Sequence, residues 1–217
     1  MSIRDFFIMI GDYSYYGLLS WELRGMQSVL DVGCGSNSPL AKVRKHFYSV
    51  GVDIHKPSIA MSKKNKIHDE YKIGDVFMID KLFQGKKFDT VVALDLIEHL
   101  PKQKGRELLA KMTKLAKKKV ILLTPNGFVQ QTPYDGNEFQ RHVSGWDVDD
   151  FRKRGFRVYG MRGLKWLRGE YATIKWKPWF FWSAVSAVSE IFVFFLPRIA
   201  NQLFVVKDLG NLTSSSS

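Results

Sequence analysis

The chain is short of cysteine, of acid and of unbroken hydrophobic runs, and each shortage excludes something. One cysteine, Cys34, stands among 217 residues. An intrachain disulfide is therefore impossible, and so is a zinc site built on paired cysteines. A reducing, cytoplasmic setting is the expectation. Acidic residues number 21 against 33 lysines and arginines, a formal net charge of +12. That imbalance favours anionic partners such as nucleic acid, an acidic membrane surface or an acidic substrate, and selects none of them. A solvated lysine-rich surface accounts for it as well. No secretory pattern is visible: Arg4 and the apolar residues 6–10 are halted by Gly11-Asp12, and no small-residue cleavage site follows. No segment repeats. Hydrophobic residues at 45% and charged residues at 25% exclude wholesale disorder, and the length suits one domain with a buried core.

What is present is an alternation. Apolar, β-branched runs occur at residues 28–32, 48–52, 72–73, 88–94 and 120–123. Between them lie segments with helical spacing. Ser38-Pro39 reads as N-cap and first position of a helix running through Leu40, Val43 and Phe47. Pro57 opens another through Ile59 and Met61. Residues 106–118 set Leu108, Leu109, Met112, Leu115 and Ala116 on one stripe, with Lys111, Lys114, Lys117 and Lys118 facing outward. A short helix at 147–153, capped by Ser144, ends at Gly155, and residues 156–159 and 203–206 add two strands. Short apolar strands alternating with helices predict an α/β fold, a doubly wound, mostly parallel seven-stranded sheet. Residues 213–217 read as a polar, disordered tail.

The sharpest local signal is the run from Val29 to Asn37, where a strand enters Gly33-Cys34-Gly35 and then a capped turn. Glycines there let the backbone turn tightly and approach a ligand closely. Asp53 ends the next strand, where a carboxylate can accept hydrogen bonds from both ribose hydroxyls of a nucleoside. Ser38 stands where a dinucleotide loop wants its third glycine, and no Gly-Lys-Ser/Thr follows. A nucleoside without a pyrophosphate fits better.

These residues resemble the class I S-adenosylmethionine-dependent methyltransferases, specifically their small-molecule, methyltransferase-11-like type. Leu30-Asp31-Val32-Gly33-Cys34-Gly35 is similar to their first motif, Val52-Asp53 to the second and Gly74-Asp75-Val76 to the third. The run 88–100, ending Asp95-Leu96-Ile97-Glu98-His99-Leu100, is similar to the fourth, and residues 120–125 to the fifth. The resemblance covers about residues 25–160. It implies S-adenosylmethionine as cofactor, with Asp31, Gly33, Cys34 and Gly35 at its methionine end, Asp53 and Ile54 at the ribose, Asp75 and Val76 at the adenine, and Asp95 and Leu96 beside it. It implies one methyltransferase domain over 1–212, including an aromatic N-terminal helical cap at 1–25.

If the acceptor is a hydroxyl, a base can take its proton. His99, after the fourth strand, and His142, on the loop after the fifth, are the candidates; each can equally order its loop. No metal site is expected. By the same resemblance, the Asn/Asp-Pro-Pro-Tyr/Phe run of nucleobase amine methylation is replaced by Leu94-Asp95-Leu96-Ile97, and Cys34 is misplaced for cytosine chemistry. DNA is therefore disfavoured as a partner. RNA stays open through the charge, although the basic residues are scattered.

An apolar helical insertion is expected at 161–202, before the last strand. Trp176, Trp179 and Trp182 cluster with Lys175 and Lys177, ahead of an apolar run to Leu196. The 19 residues 178–196 make about 28 Å of helix, just reaching the bilayer's hydrocarbon. Glu190 in the middle, and a strand that must return to the same side, argue against spanning. Ser183, Ser186 and Glu190 share a stripe opposite an aromatic face, as in a helix lying in a membrane interface; a cover for the sheet edge or for a second copy is the alternative. The expectation is methyl transfer to oxygen of a small or lipid-linked acceptor, in a cytoplasmic protein peripheral to the inner membrane face. An RNA methyltransferase and a non-catalytic membrane-associated binding protein of the same fold are the alternatives.

Overall fold

The computed structural model describes residues 15–43, 46–133 and 138–210. The aromatic residues Phe6, Phe7 and Tyr13 and the tail 213–217 lie outside the described residues. In chain order the elements are α1 (residues 15–22), β1 (Ser28–Val32), β2 (Tyr48–Asp53), α2 (Lys56–Lys64), β3 (Glu70–Ile73), α3 (Ile79–Leu82), β4 (Phe88–Leu94), α4 (Lys102–Leu115), β5 (Ala116–Pro125), α5 (Val148–Arg152), β6 (Arg157–Leu164), α6 (Trp179–Phe195) and β7 (Ala200–Asp208). The strands form one seven-stranded sheet in the order β3-β2-β1-β4-β5-β7-β6. β1 pairs in parallel with both β2 and β4, so Leu30 lies beside Val50 on one side and Val91 on the other. The expected α/β, doubly wound seven-stranded sheet is what forms.

Two compact units divide the chain. One gathers residues 19–97, 103–122 and the end of β7; the other gathers 98–102 and 123–205 with the start of α1. In the first, every residue of β4 is buried, the continuous apolar signature of a strand covered on both faces. α4 buries Leu108, Leu109, Met112 and Leu115. Each such side chain contributes about 1.5–3 kcal/mol by leaving water. In the second unit Trp146 and Phe151 are fully buried and stack at 5.5 Å between ring centres, with Phe204 also fully buried.

Local competition shifts several expected boundaries. The helix through Leu40, Val43 and Phe47 is instead one 3-10 turn, Pro39–Lys42, with Val43 already extended. The Ser38 hydroxyl accepts from Leu40 N and donates to Asp31, which fixes the turn, and β-branched Val43 prefers the extended form. α4 ends at Leu115, so buried Ala116 and the exposed Lys117 and Lys118 open β5 instead. α5 is capped by Asp147, which forms a reciprocal capping box with Asp150; Ser144 accepts the Trp146 indole N–H instead. β6 runs to Leu164 and β7 starts at Ala200, leaving 165–199 between them.

Candidate functional site

The glycine turn follows β1 at the point where the strand order reverses, the place where open α/β sheets bind ligands. Gly33 and Gly35 have φ of 70° and 58°. Gly33 N and Cys34 N both donate to Val52 O, at 2.8 and 3.1 Å, which clamps the turn onto the end of β2. A Cβ on Gly33 would come within 2.5 Å of Leu96 Cδ1, so only glycine lets Leu96 lie across the turn. Asp53 faces the same turn. Its Oδ2 accepts from Gly35 N at 2.9 Å and its Oδ1 from His55 N at 2.8 Å. A carboxylate oxygen has two lone pairs, so this fixed group keeps two adjacent acceptors, as a vicinal diol requires.

The neighbouring residues divide between shaping the turn and lining it. Asp31 is buried, takes the Ser38 hydroxyl at 2.5 Å and faces His68 Nε2 at 3.4 Å. Cys34 turns its sulfur inward: a Cβ on Gly51 of β2 would meet Sγ at 2.9 Å. Burial raises the thiol pKa far above its ordinary value, and the charges of Asp31 and Asp53 raise it further. Only the backbone of Cys34 is then suited to a ligand. Ile54 is exposed. Asp75 Oδ1 accepts Phe77 N at 2.8 Å, capping the turn that carries the buried Val76, and Gly74 N donates to Asp53 O. Asp95 is exposed with φ of 55°. All ten sequence candidates thus sit at or just beyond the carboxyl ends of β1, β2, β3 and β4.

The two histidines belong to the other unit, and the structure brings them together. Their rings are edge to face, 4.8 Å between centres. His99 Nδ1 lies 3.2 Å from Arg141 O, and His142 Nδ1 lies 2.7 Å from Val129 O. Between them in chemistry comes Glu98, whose role as a buried side chain sequence reasoning missed. Its Oε2 accepts the Thr124 hydroxyl at 2.9 Å, and its carbonyl accepts Val143 N and Ser144 N at 2.9 and 3.1 Å. Lys102 holds the far end of the same loop through Gly145 O, Asp150 and a cation–π contact 4.3 Å from the Trp146 ring centre. His68, which had no partner in sequence, is the other omission. Its signal, an acid 37 positions away on β1, is visible only once β1 and β2 pair.

A second surface lies on α6. Ser186, Ser189, Glu190 and Val193 are buried, while Trp179, Phe180, Phe181, Val188, Ile191, Phe192, Phe195 and Leu196 are exposed. Glu190 explains the inversion. Its carboxylate accepts Arg162 N at 3.0 Å and Gly163 N at 2.6 Å, where β6 turns through left-handed backbone. A Cβ on Gly163 would strike Ser186 Oγ at 2.4 Å, so the helix packs directly on the strand's backbone. Trp166 and Trp176, both exposed, extend the aromatic surface, with the Trp176 indole N–H near Trp166 O at 3.4 Å. Among the described residues no helix is long and apolar enough to cross a membrane.

A family model described as a methyltransferase domain matches residues 30–124, from β1 to β5. Among solved structures, the chain is similar to the methyltransferase domain of the bacterial protein CtHen1, with TM-score 0.59 and 16% identity, covering 91% of this chain and 99% of that one. It is similar to the N-methyltransferase NodS from Bradyrhizobium japonicum WM9 in complex with S-adenosyl-L-homocysteine, with TM-score 0.58 and 12% identity over 91% and 85%. It is also similar to magnesium protoporphyrin IX methyltransferase from Synechocystis PCC 6803, with TM-score 0.54 and 16% identity over 96% and 88%. Identities this low speak for the fold alone. No curated protein matches the chain by sequence.

Proposed function

We propose that the chain is a class I S-adenosylmethionine-dependent methyltransferase that methylates an oxygen of a small or lipid-linked acceptor met at an anionic membrane face. The turn suits the cofactor: the fixed carboxylate of Asp53 presents two acceptors to a ribose diol, and the left-handed glycines leave room for close approach. In this reading Asp53 and Ile54 hold the sugar. Asp75 and Val76 hold the adenine edge. Asp31, Gly33, Cys34 and Gly35 form the methionine end, Cys34 through its backbone only, and Asp95 and Leu96 close the side. The bound cofactor supplies a methyl group on a positively charged sulfur, a leaving group that needs no activation. The protein's own tasks are to align the acceptor oxygen and to accept its proton, for which His99 and His142 are the candidates.

The acceptor class rests on one observation, the outward aromatic face of α6. Trp and Phe on that face, Lys175 and Lys177 just before it, and a net charge of +12 match an interfacial helix on anionic lipid. Flotation with vesicles of anionic and of neutral lipid tests this. The full chain is expected to rise with anionic vesicles and to release as salt increases. A folded chain that stays at the bottom with both, or that prefers RNA to vesicles with a steep salt dependence, overturns the membrane part. Calorimetry tests the cofactor part: Asp53→Ala is expected to lose S-adenosylmethionine binding at least tenfold, the worth of about one charge-assisted hydrogen bond.

A further inference from the structure

We propose that His68 is a positioning residue that sets the charge beneath the glycine turn, and with it the preference for the positively charged cofactor over its neutral demethylated product. The proposal rests on the cofactor reading above. Asp31, Gly51 and Tyr71 stand side by side on β1, β2 and β3. Paired positions in a sheet share a face, so Asp31 and Tyr71 flank a place where Gly51 has no side chain. The His68 ring fills that place. A Cβ on Gly51 would come within 2.6 Å of His68 Cδ2 and 2.9 Å of Cys34 Sγ. A glycine inside a strand marks such a close approach.

The ring and Asp31 are both buried, with side chains 0% and 1% exposed, and His68 Nε2 lies 3.4 Å from Asp31 Oδ2. The same oxygen takes the Ser38 hydroxyl, whose Oγ accepts Leu40 N. One carboxylate oxygen therefore joins the ring to the residues that close the turn. The Asp31 charge is felt in the turn itself: burial is the first cause that pushes the Cys34 thiol up, and Asp31 is the second. Other elements also face the ring. Tyr71 of β3 meets it edge to face at 5.4 Å, accepts His68 N at 2.9 Å and donates to Ser62 O of α2. Lys63 of α2 lies 5.8 Å from the Tyr71 ring centre. Asp69 is turned to the backbone N–H and hydroxyl of Ser49, and Asp53 acts on Cys34 from the end of β2. Of these groups, Asp31 is the one whose charge meets a ring nitrogen.

Histidine changes charge near neutral pH. With the ring protonated, ring and carboxylate cancel. With the ring neutral, Asp31 carries an uncompensated negative charge into the floor of the turn. That charge stabilises a sulfonium, but not the thioether left after methyl transfer. Raising the pH through the ring's titration therefore strengthens cofactor binding and leaves product binding unmoved. By linkage, cofactor binding expels the ring's proton to solvent in the same measure.

Calorimetry of the full chain with S-adenosylmethionine and with S-adenosylhomocysteine, between about pH 5.5 and 7, tests this; the amino and carboxyl groups of both ligands hold their charge in that window. The affinity ratio of cofactor to product is expected to rise about tenfold with pH, a modest Coulomb energy for one charge inside a protein. His68→Gln, with far-ultraviolet circular dichroism as the folding control, is expected to hold the ratio constant at its higher value. Asp31→Asn is expected to hold it constant at the lower value. A ring that only packs predicts equal losses for both ligands at every pH in His68→Gln. That result, or a wild-type ratio that changes by less than about twofold, overturns the proposal. Should the variants not fold, the wild-type chain decides alone: titrations in buffers of different ionisation enthalpy are expected to show proton release with the cofactor and none with the product, and equal proton counts overturn the proposal. Binding of both ligands with a flat ratio fails this proposal only. A folded chain that binds neither ligand fails the cofactor reading and takes this proposal with it.

Discussion

α4 and α6 are built on opposite plans. α4 buries Leu108, Leu109, Met112 and Leu115 and turns Lys104 and Lys114 to water. α6 buries two serines, a glutamate and a single valine, Val193, and turns Trp179, Phe180, Phe181, Ile191, Phe192 and Phe195 outward. For α4 the hydrophobic effect supplies the attachment. For α6 the attachment is polar: Glu190 closes on two backbone N–H groups, Ser189 Oγ takes Leu164 N at 3.3 Å, and Arg168 reaches Ser186 Oγ at 3.0 Å. A helix held by its polar stripe leaves its apolar stripe for something other than this chain's own core. The two helices should therefore respond differently to the same kinds of damage.

The largest effect is expected on α4. Leu108→Ala removes a fully buried side chain and should lower unfolding free energy by about 2–5 kcal/mol, measured by urea titration. The matching injury on α6 is polar. Glu190→Ala leaves the N–H groups of Arg162 and Gly163 without their acceptor, at about 1–3 kcal/mol each before water enters. Glu190→Gln keeps one acceptor oxygen and sets a donating NH2 against the other N–H, so it is expected to recover at most part of that loss. A loss below about 0.5 kcal/mol in both would break the comparison, because α6 would then not depend on its polar stripe.

A smaller effect is expected at the N-terminus of α4, which is held by Lys102 to Asp150 of α5. Burial raises the Asp150 pKa, but the Lys102 hydrogen bond, the Asp147 backbone N–H and the Lys102 charge outweigh it and leave it below the ordinary 3.8. A carboxylate whose folded pKa is depressed contributes stability above its unfolded pKa and loses it as pH falls through the folded value. The pair should thus be fully effective at neutral pH and fade below about pH 4. Lys102→Met should cost about 1 kcal/mol or less at pH 7, and the wild-type advantage should shrink in acid. A difference that stays constant from pH 7 to about pH 3 would show that Lys102 acts by packing on Trp146 rather than by charge.

The sequence was most legible where one physical signal dominated. β1 and β4 lie where their apolar runs place them, because strands covered on both faces need little else. The glycine turn and Asp53 were readable because left-handed backbone and a carboxylate one strand over leave a spaced pattern. Legibility failed where two signals competed within a few residues. Pro39 and Ser38 announce a helix, but Asp31 draws the Ser38 hydroxyl and the helix stops after one turn. The stripe ending in Ala116 hides the passage from helix to strand after Leu115. The cluster of Glu98, His99 and His142 was hidden for a different reason: its members are separated by 43 positions, and only the backbone bonds from Val143 and Ser144 to Glu98 reveal the pairing.

The smallest expected change in stability is the most discriminating one. Phe192 is 63% exposed and Ile191 69%. Deleting a buried phenylalanine costs about 3–5 kcal/mol, whereas exposed positions away from special contacts change stability by about 0.5 kcal/mol or less. Ile191→Ser and Phe192→Ser together should therefore leave the urea midpoint nearly unmoved. The same pair should weaken binding to anionic vesicles about 10-fold or more, since each large apolar side chain withdrawn from water is worth about 1.5–3 kcal/mol. Vesicle affinity that falls while stability holds separates a face used for binding from a face used for folding. A large loss of stability with unchanged vesicle binding would make α6 a second α4, whose apolar side is covered within the folded protein, and the contrast between the two helices would disappear.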